Sequence, residues 1–249
     1  MDTVTVITSG KGGVGKSTVT AGLGAALAAR GRRVLLVDGD AGLGCLDHML
    51  GVSERRVFDI ADVVSGAAEP DKAVYVSAFS PNLFLLPAPG TEEDTVSPDI
   101  MRKLMDVFAR YYDHVLIDSP AGVGQGFRSA AASAGRALLV ATPDPVCLRD
   151  TFQAHLRLQE AGVTRQRLVI NRFSCSVFRA QGYYGDLDPV IDATGARLIA
   201  VVPEDPLLAA ACANARPAPE KSQGALALGR LAARLEGARV PLPPLQNFR

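Results

Sequence analysis

The chain has 249 residues, 48% of them apolar, and its 26 basic residues balance 26 acidic ones. That is enough apolar chain to bury one large core, and a net charge of zero gives no global attraction to nucleic acid or anionic membrane. The four cysteines, Cys45, Cys147, Cys175 and Cys212, stand far apart without CxxC or CxC spacing, which argues against a disulfide framework or zinc site and for a reducing compartment.

The thiols read as small apolar residues in or near the core. His48, His114 and His155 share no metal-ligand spacing and read as unrelated surface or packing residues. No apolar run approaches the ~20 residues of a membrane span. The first one, "TVTVIT", is too short for a signal peptide and leads into a glycine loop.

In chain order, a strand is predicted at 3–8, then the loop "SGKGGVGKST" and a helix over 17–30. A strand at 33–38, a helix at 58–65, a strand at 83–86 and a helix at 98–111 follow. Next come strands at 114–118 and 136–142, a helix at 146–162, a strand at 167–171, a helix at 186–194 and a strand at 197–202. Helices at 205–214 and 223–237 complete the series. The strands are almost continuously apolar, as strands covered on both faces are. Alternation of this kind predicts an α/β fold: a doubly wound, mostly parallel sheet with helices on both faces, in one domain over 1–249. Residues 239–249, "RVPLPPLQNFR", carry three prolines and are expected to be an extended tail.

Between the first strand and helix, "GKGGVGKS" fits G-x-x-x-x-G-K-[ST] over 10–17. Its glycines, with Val14 between them, let successive N–H groups face a phosphate, and the following helix adds its positive end. Gly10, Lys11, Gly12, Gly13, Val14, Gly15, Lys16, Ser17 and Thr18 are therefore the candidate phosphate-binding residues. Lys16 supplies charge to the β and γ phosphates, and the Ser17 hydroxyl suits Mg²⁺. Asp118 ends the strand of "VLIDSPAG" in the Walker B position, and Asp38 and Asp40 end the strand of "VLLVDGDAG". Ligands bind beyond the carboxyl ends of such strands, so these aspartates fall near a γ-phosphate. Ser17, Asp38 and Asp118 form the candidate metal set.

A second lysine, Lys11, opens the loop. "KGGVGKST" with this residue resembles the deviant Walker A motif of the MinD/ParA family of P-loop ATPases. The resemblance covers nearly the whole chain and is nearest the division-site branch, through "VDGDAGLGCLDHMLG", the run from 83 to 130, "LVINRF" and "TGARLIAVVPEDP". It implies the P-loop NTPase fold, ATP with Mg²⁺, a homodimer with ATP sandwiched between subunits, and slow hydrolysis used as a spatial switch in division-site selection. In that family Lys11 reaches the partner's nucleotide and Asp40 orients the attacking water, so Lys11, Lys16 and Asp40 are the implied catalytic residues. Asn171 is implied to hydrogen-bond the base, and Pro203, Glu204 and Asp205 to line it.

The chain departs from the division-site pattern in three places. Gly44-Cys45 stand where Arg-Asn is usual, and Gly124 where glutamate is usual. The tail lacks the basic amphipathic helix that binds membrane, and the alanines and leucines of 223–237 read as core packing. The expectation is a cytoplasmic protein that reaches the inner face of the cell membrane through a partner. A division inhibitor or ATPase activator is the expected partner. The alternative is a ParA-like or flagellar-placement ATPase that partitions DNA or another cargo, although a neutral chain does not favour DNA. A metal-cluster ATPase would need paired cysteines near the dimer axis, and a metabolic ligase would need a substrate motif.

Overall fold

The structure is a computed structural model that describes residues 3–91 and 96–248. Val4–Thr8, buried at every position, forms β1 in the interior of the sheet. Around it the chain winds outward in both directions. The other strands are β2 (Val34–Asp38), β3 (Tyr75–Ser77), β4 (Ser80–Leu86), β5 (His114–Asp118), β6 (Arg136–Ala141), β7 (Gln166–Phe173) and β8 (Arg197–Pro203). Their order across the eight-stranded sheet is β3-β4-β2-β5-β1-β6-β7-β8. Every pairing is parallel except that of β3 with β4. The direction of winding reverses at β1, so the loop after it opens at the switch point where α/β sheets bind ligands.

The helices are α1 (Lys16–Ala29), α2 (Leu46–Met49), α3 (Ile60–Ser65), α4 (Pro98–Phe108), α5 (Gln125–Ala132), α6 (Pro145–Glu160), α7 (Cys175–Gln181), α8 (Asp188–Thr194), α9 (Pro206–Ala213) and α10 (Gln223–Leu235). α1 packs with α9 and α10, while α4 meets α5 and α6 meets α8. α10 buries Leu228 and Leu231, each worth about 1.5–3 kcal/mol, as the core reading of this helix expects. Of the helices among the described residues, none is long and apolar enough to cross a membrane. His155 bonds Gln166 at 2.7 Å in the interior, and His114 lies beside Glu236; both are packing residues.

Four short elements, β3, α2, α5 and α7, are absent from the sequence expectation. None exceeds eight residues, too few for a period to stand out. α5 also opens next to two glycines, and burial of Phe127, Ala130 and Ala131 holds it.

From Arg239 to Pro244 the tail has no regular element, and only beyond that does it differ from the expected extended form. Arg234 on α10 donates to Ile199 O of the edge strand β8 and to Val240 O and Pro241 O, which clamps the tail beside that strand. Beyond Pro244 the chain makes a 3-10 turn at Leu245–Asn247, and Phe248 is buried edge-on against Phe173. Its carbonyl accepts the Cys175 N–H at the start of α7. A buried aromatic ring outweighs the proline preference for an open chain. Arg249 lies outside the described residues.

Candidate nucleotide site

The loop from β1 to α1 turns on Gly13 and Gly15, at φ 78° and 89°. Two close approaches explain its glycines further. A Cβ on Gly10 would overlap the Asp150 backbone of α6, and one on Gly15 would overlap the Asn171 amide. Lys16 begins α1 and is buried. Ser9 fastens the loop by donating to Lys11 O at 2.7 Å.

Below the loop, Asp38 and Asp118 are direct register partners on β2 and β5, and each is 2% exposed. Burial, then the charge of Asp38, pushes Asp118 up to about 7, against hydrogen bonds from Ser17 and Thr20 and the charge of Lys16. Thr20 Oγ1 donates to it at 3.2 Å. Burial likewise raises Asp38 to about 6, although the Leu46 and Asp40 N–H groups donate to it at 3.1 Å each. Folding therefore sets two carboxylates together without enough positive charge to keep both ionised. Two carboxylates and the Ser17 hydroxyl are hard oxygen donors that suit a divalent cation such as Mg²⁺, whose charge would relieve that shortage.

Asp40 sits in the half-buried turn after β2, where the Leu43 N–H bonds its carbonyl at 3.2 Å. Lys11 is half-exposed and lies 3.9 Å from Asp144, which caps α6. An exposed pair of that length is worth at most about 1 kcal/mol, so the ammonium is easily exchanged to another anion.

On the far side, Asn171 donates from Nδ2 to Val14 O at 2.7 Å. Pro203 ends β8 opposite Phe173, and the Glu204 N–H bonds Phe173 O at 3.1 Å. Asp205, implied to line the base, has its carboxylate taken up by the fold. Its carboxylate caps α9 through Leu207 and Leu208 and binds Ser222 and Gly224 at the start of α10. Burial alone would raise its pKa, but these donors hold it below the usual value. With four donors inside the chain, it joins β8, α9 and α10.

One residue escaped the sequence reading. Arg172 donates to Gly13 O at 3.0 Å; its only signal was a cation next to Asn171 at a strand end. Cys45, expected in or near the core and already set apart together with Gly44, is half-buried and lies beside Ser17, and burial raises its thiol pKa. Cys147 and Cys175 are buried as expected. Gly44 packs against the site: a Cβ there would come within 2.8 Å of Asp38 Oδ2. Gly124 caps α5 with open space around it, so no steric demand explains the glycine.

A family model described as ParA, NUBPL iron-transfer P-loop NTPase, matches residues 1–227. The septum site-determining protein MinD of Bacillus subtilis is 36% identical over 247 residues, 97% of this chain and 92% of the relative. A chain of the MinC:MinD cell division protein complex of Aquifex aeolicus superposes with a TM-score of 0.89 at 35% identity, over 97% of this chain and 98% of that one. MinD of Pyrococcus horikoshii, solved with Mg-ADP, gives 0.82 at 33%, over 94% and 96%. With its phosphate loop at the sheet's switch point and the carboxylate pair beneath it, this chain belongs to the MinD branch of the ParA family of P-loop NTPases.

Proposed function

We propose that the chain is a MinD-type ATPase that binds Mg·ATP, dimerises around it and hydrolyses it slowly as a spatial switch in division-site selection. The observation that carries this reading is the buried Asp38–Asp118 pair, direct partners on neighbouring strands at the foot of the loop that carries Lys16 and Ser17. Lys16 holds the phosphates. Ser17, Asp38 and Asp118 hold Mg²⁺, and Asp40 orients the attacking water. Asn171, Pro203 and Glu204 face the base. When bound, the metal neutralises phosphate charge; the chain's own groups position the phosphates and the water.

The homodimer is supported by apolar side chains around the same end of the sheet. Leu43, Val123 and Val146, on the segments after β2, β5 and β6, are 75%, 39% and 52% exposed. A second copy would cover them and give Lys11 a nucleotide in place of Asp144. The A. aeolicus complex supports a partner of the MinC type. The family model's description refers to iron transfer. The 36% identity to MinD over nearly the full length favours the division-site reading.

Titration with a fluorescent ATP analogue and Mg²⁺ tests the site. Lys16→Ala is expected to weaken binding by about 100-fold or more, since a buried charge-assisted contact is lost. Lys11→Ala should bind as a monomer yet stay monomeric in sizing with light scattering. Equal affinity in Lys16→Ala would sink the reading, and an ATP-induced dimer of Lys11→Ala would sink the sandwich.

A further inference from the structure

We infer that Arg172 is a positioning residue of the nucleotide site, one whose guanidinium holds the Gly13 carbonyl of the phosphate loop outward; this rests on the nucleotide reading above. Successive side chains of a strand point to opposite faces. Yet Asn171 and Arg172 reach successive loop carbonyls, Val14 O at 2.7 Å and Gly13 O at 3.0 Å. The backbone shows how. Arg172 has φ 54°, and the pairing of β7 with β8 shifts register between Ile170 and Phe173. A left-handed residue at the strand end turns both side chains toward the loop. Glycine or asparagine takes that conformation more readily than arginine, so the arginine sits there against its backbone preference.

A phosphate loop works by aiming N–H groups at the anion, which requires its carbonyls to face away. Asn171 and Arg172 grip two consecutive carbonyls from behind. The Arg172 Nε also lies 3.4 Å from Glu204 Oε2, but both side chains are about half exposed, at 53% and 52%. That pair is worth little, and the shorter contact, to Gly13 O, is the one made to the loop itself.

The test is the affinity of the whole chain for a fluorescent ATP analogue with Mg²⁺, together with steady-state hydrolysis. Arg172→Gly keeps the left-handed turn without strain and removes only the guanidinium, so folding is preserved. It and Arg172→Ala should bind about tenfold more weakly, the scale of one charge-assisted hydrogen bond. KM should rise in proportion while kcat stays within about twofold, because the loop holds ground state and transition state alike. Arg172→Lys should recover part of the affinity. Wild-type affinity in Arg172→Gly, or a fall in kcat without a rise in KM, would overturn the inference and leave the nucleotide reading standing. A wild type that binds no nucleotide would bring down both.

Discussion

At the carboxyl ends of β2 and β5, Asp38 and Asp118 lie side by side with their pKa values pushed up by burial. Just beyond the carboxyl end of β8, Asp205 accepts four hydrogen bonds within the chain and its pKa is held down. Both regions border one candidate site and both use aspartate at strand ends. The difference is whether folding alone satisfies the charge. At the base side it does, and the aspartate serves the fold. At the phosphate side it does not, and the unrelieved charge marks where a ligand must bring its own cation. A site of this kind costs stability in the empty protein and recovers it on binding.

The largest effect that would sharpen the contrast concerns hydrolysis. Asp40→Ala should keep Mg·ATP but lose turnover by about 10²–10⁴-fold, the scale of a positioned acid–base group. The dimer should then accumulate with ATP in light scattering. A variant that hydrolyses at the wild-type rate would remove Asp40 from the phosphate side of the comparison.

Stability should expose the empty carboxylate pair. An unfolded aspartate titrates near 3.8, whereas the folded values are about 6 for Asp38 and about 7 for Asp118. The unfolded chain releases these protons first, so the pair removes stability as pH rises from about 4 to about 7, with no further loss above. Asp118→Asn should match the nucleotide-free wild type near pH 4 and exceed it at pH 8 by about 1–3 kcal/mol in urea unfolding. A variant less stable than wild type at pH 8 would mean that the fold already satisfies the pair. Mg·ATP should also release protons on binding near pH 6, which calorimetry in buffers of different ionisation enthalpy would read.

The smallest of the three lies at the base side. Asp205→Ala removes a helix cap and two bonds to α10, and should cost about 2 kcal/mol. Nucleotide affinity should change less than about threefold, well under the effect at Lys16. A large loss of affinity without loss of stability would restore Asp205 to the base pocket and erase the contrast.

The phosphate side was the more legible of the two in the sequence. The loop at 10–17 is contiguous, and its glycines, lysine and serine announce their backbone and chemistry locally. Asp118 and Asp38 show as charges ending apolar runs, a pattern that needs only a strand to be recognised. The main strands and long helices were equally readable from their periods, while α2, α5, α7 and the short edge strand β3 were not.

What the residues alone determined, then, were the features with short-range causes: the β–loop–α unit around Lys16, the alternation that makes a parallel sheet, and the family resemblance carried by Lys11. Tertiary structure decided the rest. Arg172 meets Gly13 across 159 positions of chain, Asn171 meets Val14 across 157, and Asp205 meets Gly224 across 19. The burial of Phe248 against Phe173 is of the same sort. Such contacts exist because the order of strands brings separate ends together, and no local period or turn preference records that order. The pKa values of Asp38 and Asp118 belong here too, since they follow from the pairing of β2 with β5 and the depth at which that pairing buries both charges.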